Sequence, residues 1–170
     1  MSIDNKEDQN KTQIQRLSGR LHRVNPILDT AGKVIHYAVS PLRVELKRKD
    51  LIQIIVGSSV LAVPIGFTQE TWDLGRTLPL INILALALLS LIFISAYVYF
   101  NFYRDLIGQY KFDYLKRVLV IYIFSLIVVG LLLSIIQVAP WKADFLLAIK
   151  RTIIVGFPAS MSAAVSDSID

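Results

Sequence analysis

The sequence predicts an all-α membrane protein, a polytopic bundle of four transmembrane helices preceded by a polar and basic N-terminal region. Three observations carry this expectation. Hydrophobic residues make up 54% of the chain and mean hydropathy is +0.55, well above what a soluble domain shows. Charged residues, only 18%, gather in clusters between long uncharged runs instead of being interspersed as on a globular surface. Four of those runs, 51–70, 78–102, 118–138 and 145–165, approach the length of about 20 residues that carries a helix across a bilayer. The chain therefore divides into an N-terminal region, 1–50, and a transmembrane domain, 51–170.

The opening decapeptide is polar and is expected to be disordered. No continuous apolar core of the signal-peptide kind occurs before Leu51, so the N-terminal region is expected to be retained. Ile14, Leu17, Leu21 and Val24 recur at helical spacing, which predicts a short amphipathic helix over 12–24, ended by Pro26. Leu42, Val44 and Leu46 alternate with Arg43, Glu45 and Lys47, a period of two that suits either an extended segment or an irregular start to the first span.

The first span contains Pro64, which removes one helical hydrogen bond and leaves the Val60 carbonyl to find another donor. Ser58 and Ser59 are close enough in sequence to relieve that break. Pro64 and its counterpart Pro158 in the fourth span are both expected to kink their helices, as ordinary membrane prolines or as hinges beside a cavity. The second and third spans, "LPLINILALALLSLIFISAYVYF" and "VLVIYIFSLIVVGLLLSIIQV", carry no charge at all. The fourth is the least apolar, because Lys150 and Arg151 fall within its first two turns. It is also rich in small residues, and the spacing of Gly156, Ser160 and Ala163 predicts close helix packing in the bundle or between copies.

Ten Lys and Arg residues precede the first span, one (Arg76) follows it, four (Arg104, Lys111, Lys116, Arg117) separate the second and third, and one (Lys142) separates the third and fourth. This alternation predicts cytoplasmic N and C termini in a multi-pass protein of the inner, cytoplasmic membrane. Trp72 and Trp141 lie in the positive-poor loops and "YVYFNFY" and "YKFDY" flank the positive-rich one, as interfacial aromatic belts do. The basic cluster Arg43, Lys47, Arg48 and Lys49 is explained by anionic lipid headgroups, with no nucleic acid required.

Glu70 and Asp73 end the first span about one turn apart, either as solvated carboxylates or as partners for buried charge. Lys150 and Arg151 lie roughly 12 Å below Trp141 at a helical rise, on the same outer side. Two cations at that depth snorkel, line water or meet a carboxylate, so a pairing of Lys150 or Arg151 with Glu70 or Asp73 is expected to join the first and fourth spans. Asp73 stands nine residues after Pro64 and Asp167 nine after Pro158, with Thr68 and Ser162 four after each proline, a match suggestive of an inverted repeat. Glu70, Asp73, Lys150, Arg151 and Asp167 are thus the candidate polar pathway or ion-pair residues.

No cysteine is present, and both histidines, His22 and His36, lie in the N-terminal region, which leaves no thiolate or imidazole cluster for a metal. No phosphate loop, nucleophile elbow, HExxH or dinucleotide fingerprint occurs, so no catalytic residue, metal or cofactor is assigned and no enzyme is expected.

"IIVGSSVLAVPIGFTQETWDLGRTLPLINILALALLSLIF" and "PWKADFLLAIKRTIIVGFPASMSAAVSDSI" resemble the hallmark blocks of the integral membrane proteins grouped as domain of unknown function 2391. The resemblance runs from about Leu42 to Ile169, and implies a prokaryotic multi-pass membrane protein without transferring an activity. The functional expectation is a channel-like or transporter-like protein passing a small ion or proton as a homo-oligomer. The alternative is a non-transporting scaffold or regulatory subunit that binds a partner through the basic N-terminal region.

Overall fold

The computed structural model describes residues 13–17, 20–29, 34–41, 46–104, 108 and 110–169. They form two units, residues 1–45 and 46–170. In the first, β1 (Gln13–Leu17), β2 (Arg20–Leu28) and β3 (Val34–Pro41) make an antiparallel sheet in the order β1-β2-β3. The amphipathic helix expected over 12–24 is therefore replaced by β1 and most of β2. A run with apolar residues at 14, 17, 21 and 24 fits a helix and a short strand pair alike, and the arbiter lies outside it: β3, "VIHYAVSP", is β-branched and aromatic and pairs along β2 from His22↔Pro41 to Leu28↔Val34. Pro26 sits inside β2, opposite Tyr37 and beyond the stretch that β1 covers, so it ends no helix. The alternating stretch from Leu42 through Glu45 lies outside the described residues, as does the opening decapeptide.

The second unit is helical: α1 (Arg48–Gly66), α2 (Gln69–Thr77), α3 (Leu80–Val98) continued by a π-helical turn (Tyr99–Tyr103), α4 (Lys111–Ile135) and α5 (Phe145–Ser168). Arg48–Gly66, Leu80–Tyr103, Lys111–Ile135 and Phe145–Ser168 are each long and apolar enough to span a membrane. The boundaries depart from the sequence expectation at two places that matter. The first span stops at Gly66 instead of continuing to Glu70, and the third starts at Lys111, seven residues before Val118.

Pro64 lies two residues from the end of α1, so the chain turns just after it. Thr68 closes that turn by donating its N–H and its hydroxyl to the Ile65 carbonyl (3.2 and 2.7 Å). Ser58 and Ser59 do not relieve the proline; both donate to the Ile55 carbonyl, at 3.0 and 2.8 Å. α5, by contrast, runs unbroken through Pro158 to Ser168.

α5 is the axis of the bundle and packs against α1, α2, α3 and α4. Its buried residues are mostly small, including Ala148, Gly156, Ala159, Ser160, Ala163 and Ala164. A methyl group placed on Gly57 of α1 would lie 2.3 Å from Ser166 Cβ and 3.0 Å from the Ser162 carbonyl oxygen, and one on Gly156 would lie 2.5 Å from Leu126 Cδ2 of α4. Bare glycine at these crossings lets the backbones close, the contact that drives helix association where lipid offers no hydrophobic gain. Ala62, Val129, Leu133, Ala139, Ala148, Val155 and Ala159 form an apolar cluster of buried residues. Outward, Ile52, Val56, Val60 and Val63 on α1, and Leu115, Leu119, Ile123, Ile127, Leu131 and Ile135 on α4, make exposed apolar stripes at helical spacing. Stripes of that length suit hydrocarbon, not water.

Gly57→Val is expected to lower the thermal midpoint of purified protein in nanodiscs, by about 1–3 kcal/mol of overpacking. Val56→Ala, on the lipid-facing stripe, leaves the midpoint near wild type.

Candidate functional site

The starts of α1 and α4 meet the ends of α3 and α5 at one end of the bundle, and there the structure places a buried charge cluster. Arg117, in the second turn of α4, donates from Nε to Asp167 Oδ2 (2.7 Å) and from Nη2 to Asp167 Oδ1 (3.1 Å), a forked pair between side chains 2% and 0% exposed. The same Nη2 reaches Asp50 Oδ2 of α1 at 3.3 Å. The guanidinium carbon lies 3.9 Å from the centre of the Phe102 ring. Tyr103 is fully buried beside it and packs edge-on to Tyr114, whose hydroxyl donates to the Ser95 carbonyl at 3.1 Å. Tyr97 and Ser168 share a hydroxyl contact of 2.8 Å, and Gln53 Nε2 donates to the Ile169 carbonyl. All four spans are tied at this end.

Each charge has a local reason to be there or a local cost. Asp50 occupies the first turn of α1, where its carboxylate accepts the Lys47 N–H (3.0 Å) and suits the positive helix end. Asp167 sits in the last turn of α5, where the helix dipole disfavours an anion, so its stability there depends on Arg117.

The other end holds the cations of α5. Arg151, 6% exposed, donates from Nε to the Trp72 carbonyl (3.1 Å) and from Nη1 to the Val138 carbonyl (2.5 Å). Lys150 Nζ donates to the Leu78 carbonyl at 2.7 Å. The pairing of Lys150 or Arg151 with Glu70 or Asp73 is thus corrected: the partners are the backbone carbonyls of Trp72 within α2, of Leu78 just after it, and of Val138 in the α4–α5 connection. The early end of α1 explains the change, because Glu70 and Asp73 move onto the separate helix α2. That helix turns Thr71 and Gly75 inward and leaves both acids exposed. Asp73 lies 3.9 Å from Arg76, a weak surface pair. Gly75 is required to be bare: a methyl group there would stand 2.7 Å from Arg151 Cγ. The Trp72 indole donates to the Gly66 carbonyl (2.7 Å) and Trp141 to Ser134 Oγ (2.7 Å), fixing this end further. A cavity of about 180 Å³ beside α2 is lined by Gly75, Arg76, Asp144, Leu146, Leu147 and Lys150.

Glu70, Asp73, Lys150 and Arg151 therefore lie at one end of the bundle and Asp167 at the other. The proposed repeat does not carry into structure, since Asp73 is exposed on a separate helix while Asp167 is buried at the end of a continuous one. Gly156, Ser160 and Ala163 are all buried. Sequence reasoning missed Arg117 and Asp50, having placed Arg117 in a loop. The available signal was Asp113, an acid suited to the first turn of a helix starting at Lys111. Among the described residues no group of three or more His, Cys, Asp or Glu is placed to hold a metal ion.

A family model described as "Putative integral membrane protein (DUF2391)" matches residues 17–167. The chain belongs to this family. No curated protein and no solved structure matches it. As a DUF2391 member with four spans, it is a multi-pass integral membrane protein.

Asp167→Asn is expected to destabilise the bundle by about 3–5 kcal/mol, as removal of one partner from a buried pair does, and the double change Arg117→Met with Asp167→Leu to recover most of that loss. Thermal unfolding in nanodiscs measures both. Arg151→Lys keeps the charge but lacks the fork that spans two carbonyls, and is expected to lower the midpoint by about 1–3 kcal/mol.

Proposed function

We propose that this protein is a non-transporting membrane scaffold or regulatory subunit, a rigid bundle that anchors its basic N-terminal unit at the membrane surface. The observation that supports this reading is the apolar cluster around Ala62, Val129, Leu133, Val155 and Ala159, which includes the stretch of α5 between Arg151 and Asp167. Glu70 is exposed at one end and Asp167 is held by Arg117 at the other, so the candidate pathway residues form no chain within one copy. Ser58, Ser125 and Ser160, buried between them, each donate to a carbonyl of their own helix. In this reading the protein is no enzyme. Its basic end, with Lys47, Arg48, Lys49, Lys111 and Lys116, faces the cytoplasm with both termini, and Lys47, Arg48 and Lys49 meet anionic headgroups together with Arg43, which lies outside the described residues.

A second reading, passage of protons or small cations between copies of an oligomer, draws on Ser90, whose buried hydroxyl has no hydrogen-bond partner among the described residues. Flux through purified protein in liposomes separates the two. The scaffold reading expects proton, sodium and potassium flux equal to that of protein-free liposomes. Flux above that level, reduced by Asp167→Asn in protein that still reconstitutes, overturns it.

A further inference from the structure

We propose that the apolar face of the N-terminal sheet lies on the membrane surface and is held there by anionic lipid. Along β3, Tyr37 and Val39 point to one side and His36 and Ala38 to the other. The register sets Tyr37 opposite Pro26 and Val39 opposite Val24, so these four residues share a face. Tyr37 and Val39 are 48% and 49% exposed, and Ile35, at the bulged end of the same strand, is 64% exposed. On the other side the register sets Ile27 opposite His36, Asn25 opposite Ala38 and Arg23 between Ile14 and Ser40, so over β2 and β3 the face of Val24, Pro26, Tyr37 and Val39 is the more apolar, with His22, opposite Pro41, as its polar member. A three-stranded sheet this small needs its apolar face covered to be stable, and the described residues of the N-terminal unit supply no second layer.

Two features select the bilayer as the cover. The first is reach: only residues 42–47 separate the end of β3 at Pro41 from the start of the first span at Arg48. Six residues extend at most about 20 Å, so the headgroup region is always within range of the sheet. The second is charge. Over residues 1–45 seven Lys and Arg stand against five Asp and Glu, an excess of two positive charges. Anionic headgroups attract that excess over about a Debye length, whereas a second copy of the sheet would bring like charges together. Tyr37 supplies the amphipathic ring that settles at a membrane interface. The inference stands apart from whether the bundle conducts, and flux measurements do not bear on it.

The chain has no cysteine, so a single introduced one reports without background. Full-length Val39→Cys and Ala38→Cys, each carrying an environment-sensitive fluorophore, are compared in nanodiscs of phosphatidylcholine alone and of phosphatidylcholine mixed with phosphatidylglycerol. The expected result is a blue-shifted emission and loss of iodide quenching at position 39 in the mixed discs, reversed by high salt, with position 38 remaining in water. Each labelled sample is its own control across lipids, so a folding defect does not imitate the result. Emission at position 39 that is unchanged by phosphatidylglycerol overturns the proposal. So does a shift that persists in detergent and grows when two copies share a disc, which would assign the face to a second copy.

Discussion

A guanidinium inside a membrane bundle must find its partners in the protein, and the architecture at the basic end follows from how Arg117 finds them. Its fork takes both oxygens of Asp167, its remaining reach takes Asp50, and its flat face lies on Phe102. Those groups come from α5, α1 and the π-helical turn after α3, so one side chain of α4 fixes the other three spans. The dependence is mutual. Asp167 sits where the α5 dipole opposes a negative charge, and a carboxylate there, out of water, is tolerable only because the guanidinium is bidentate and close.

The same problem is solved differently at the far end. Arg151 has no carboxylate, and two carbonyls take its protons instead, one from α2 and one from the α4–α5 connection. The Val138 carbonyl is available there because it lies beyond the end of α4. α5 therefore carries a charge near each end, and each charge is satisfied by elements that the chain folds back for the purpose. Between those charges its buried face is rich in alanine, glycine and serine, and its neighbours close onto it where Gly57, Gly75 and Gly156 leave room. That is why the span of lowest hydropathy is also the most buried. Lipid selects for apolarity on the outside, and packing selects for small size within.

The spans, and that the chain is an integral membrane protein, were legible in the sequence because the bilayer demands long uncharged runs, and such runs have few other uses. The site was only half legible. Lys150, Arg151 and Asp167 stood out because charge inside an apolar run is conspicuous, and the structure does engage all three. Their partners were hidden for different reasons. Arg117 sat at a span boundary, where basic residues are the rule and carry no signal. Glu70 and Asp73 looked like partners only while α1 was taken to continue past Gly66. Once Thr68 closes the turn there, both acids move to the exposed face of α2. The sheet was obscured by a spacing at Ile14, Leu17, Leu21 and Val24 that two kinds of structure satisfy, with the deciding strand ten residues further along.

The two charged ends bear on motion as well as on assembly. For α5 to slide or tilt by a turn, Arg117 would have to release Asp167 at one end, or Arg151 its two carbonyls at the other, and either release leaves a buried charge without its bonded partners. The π-helical turn over Tyr99–Tyr103 places an irregular segment directly beside the cluster, contributing Phe102 and Tyr103. The small-residue faces that let the helices approach so closely also leave little slack at the crossings, since Ser166 and Leu126 already fill the space that a methyl group on Gly57 or Gly156 would need. A bundle pinned at both ends and tight between them is a poor rocker and a good anchor.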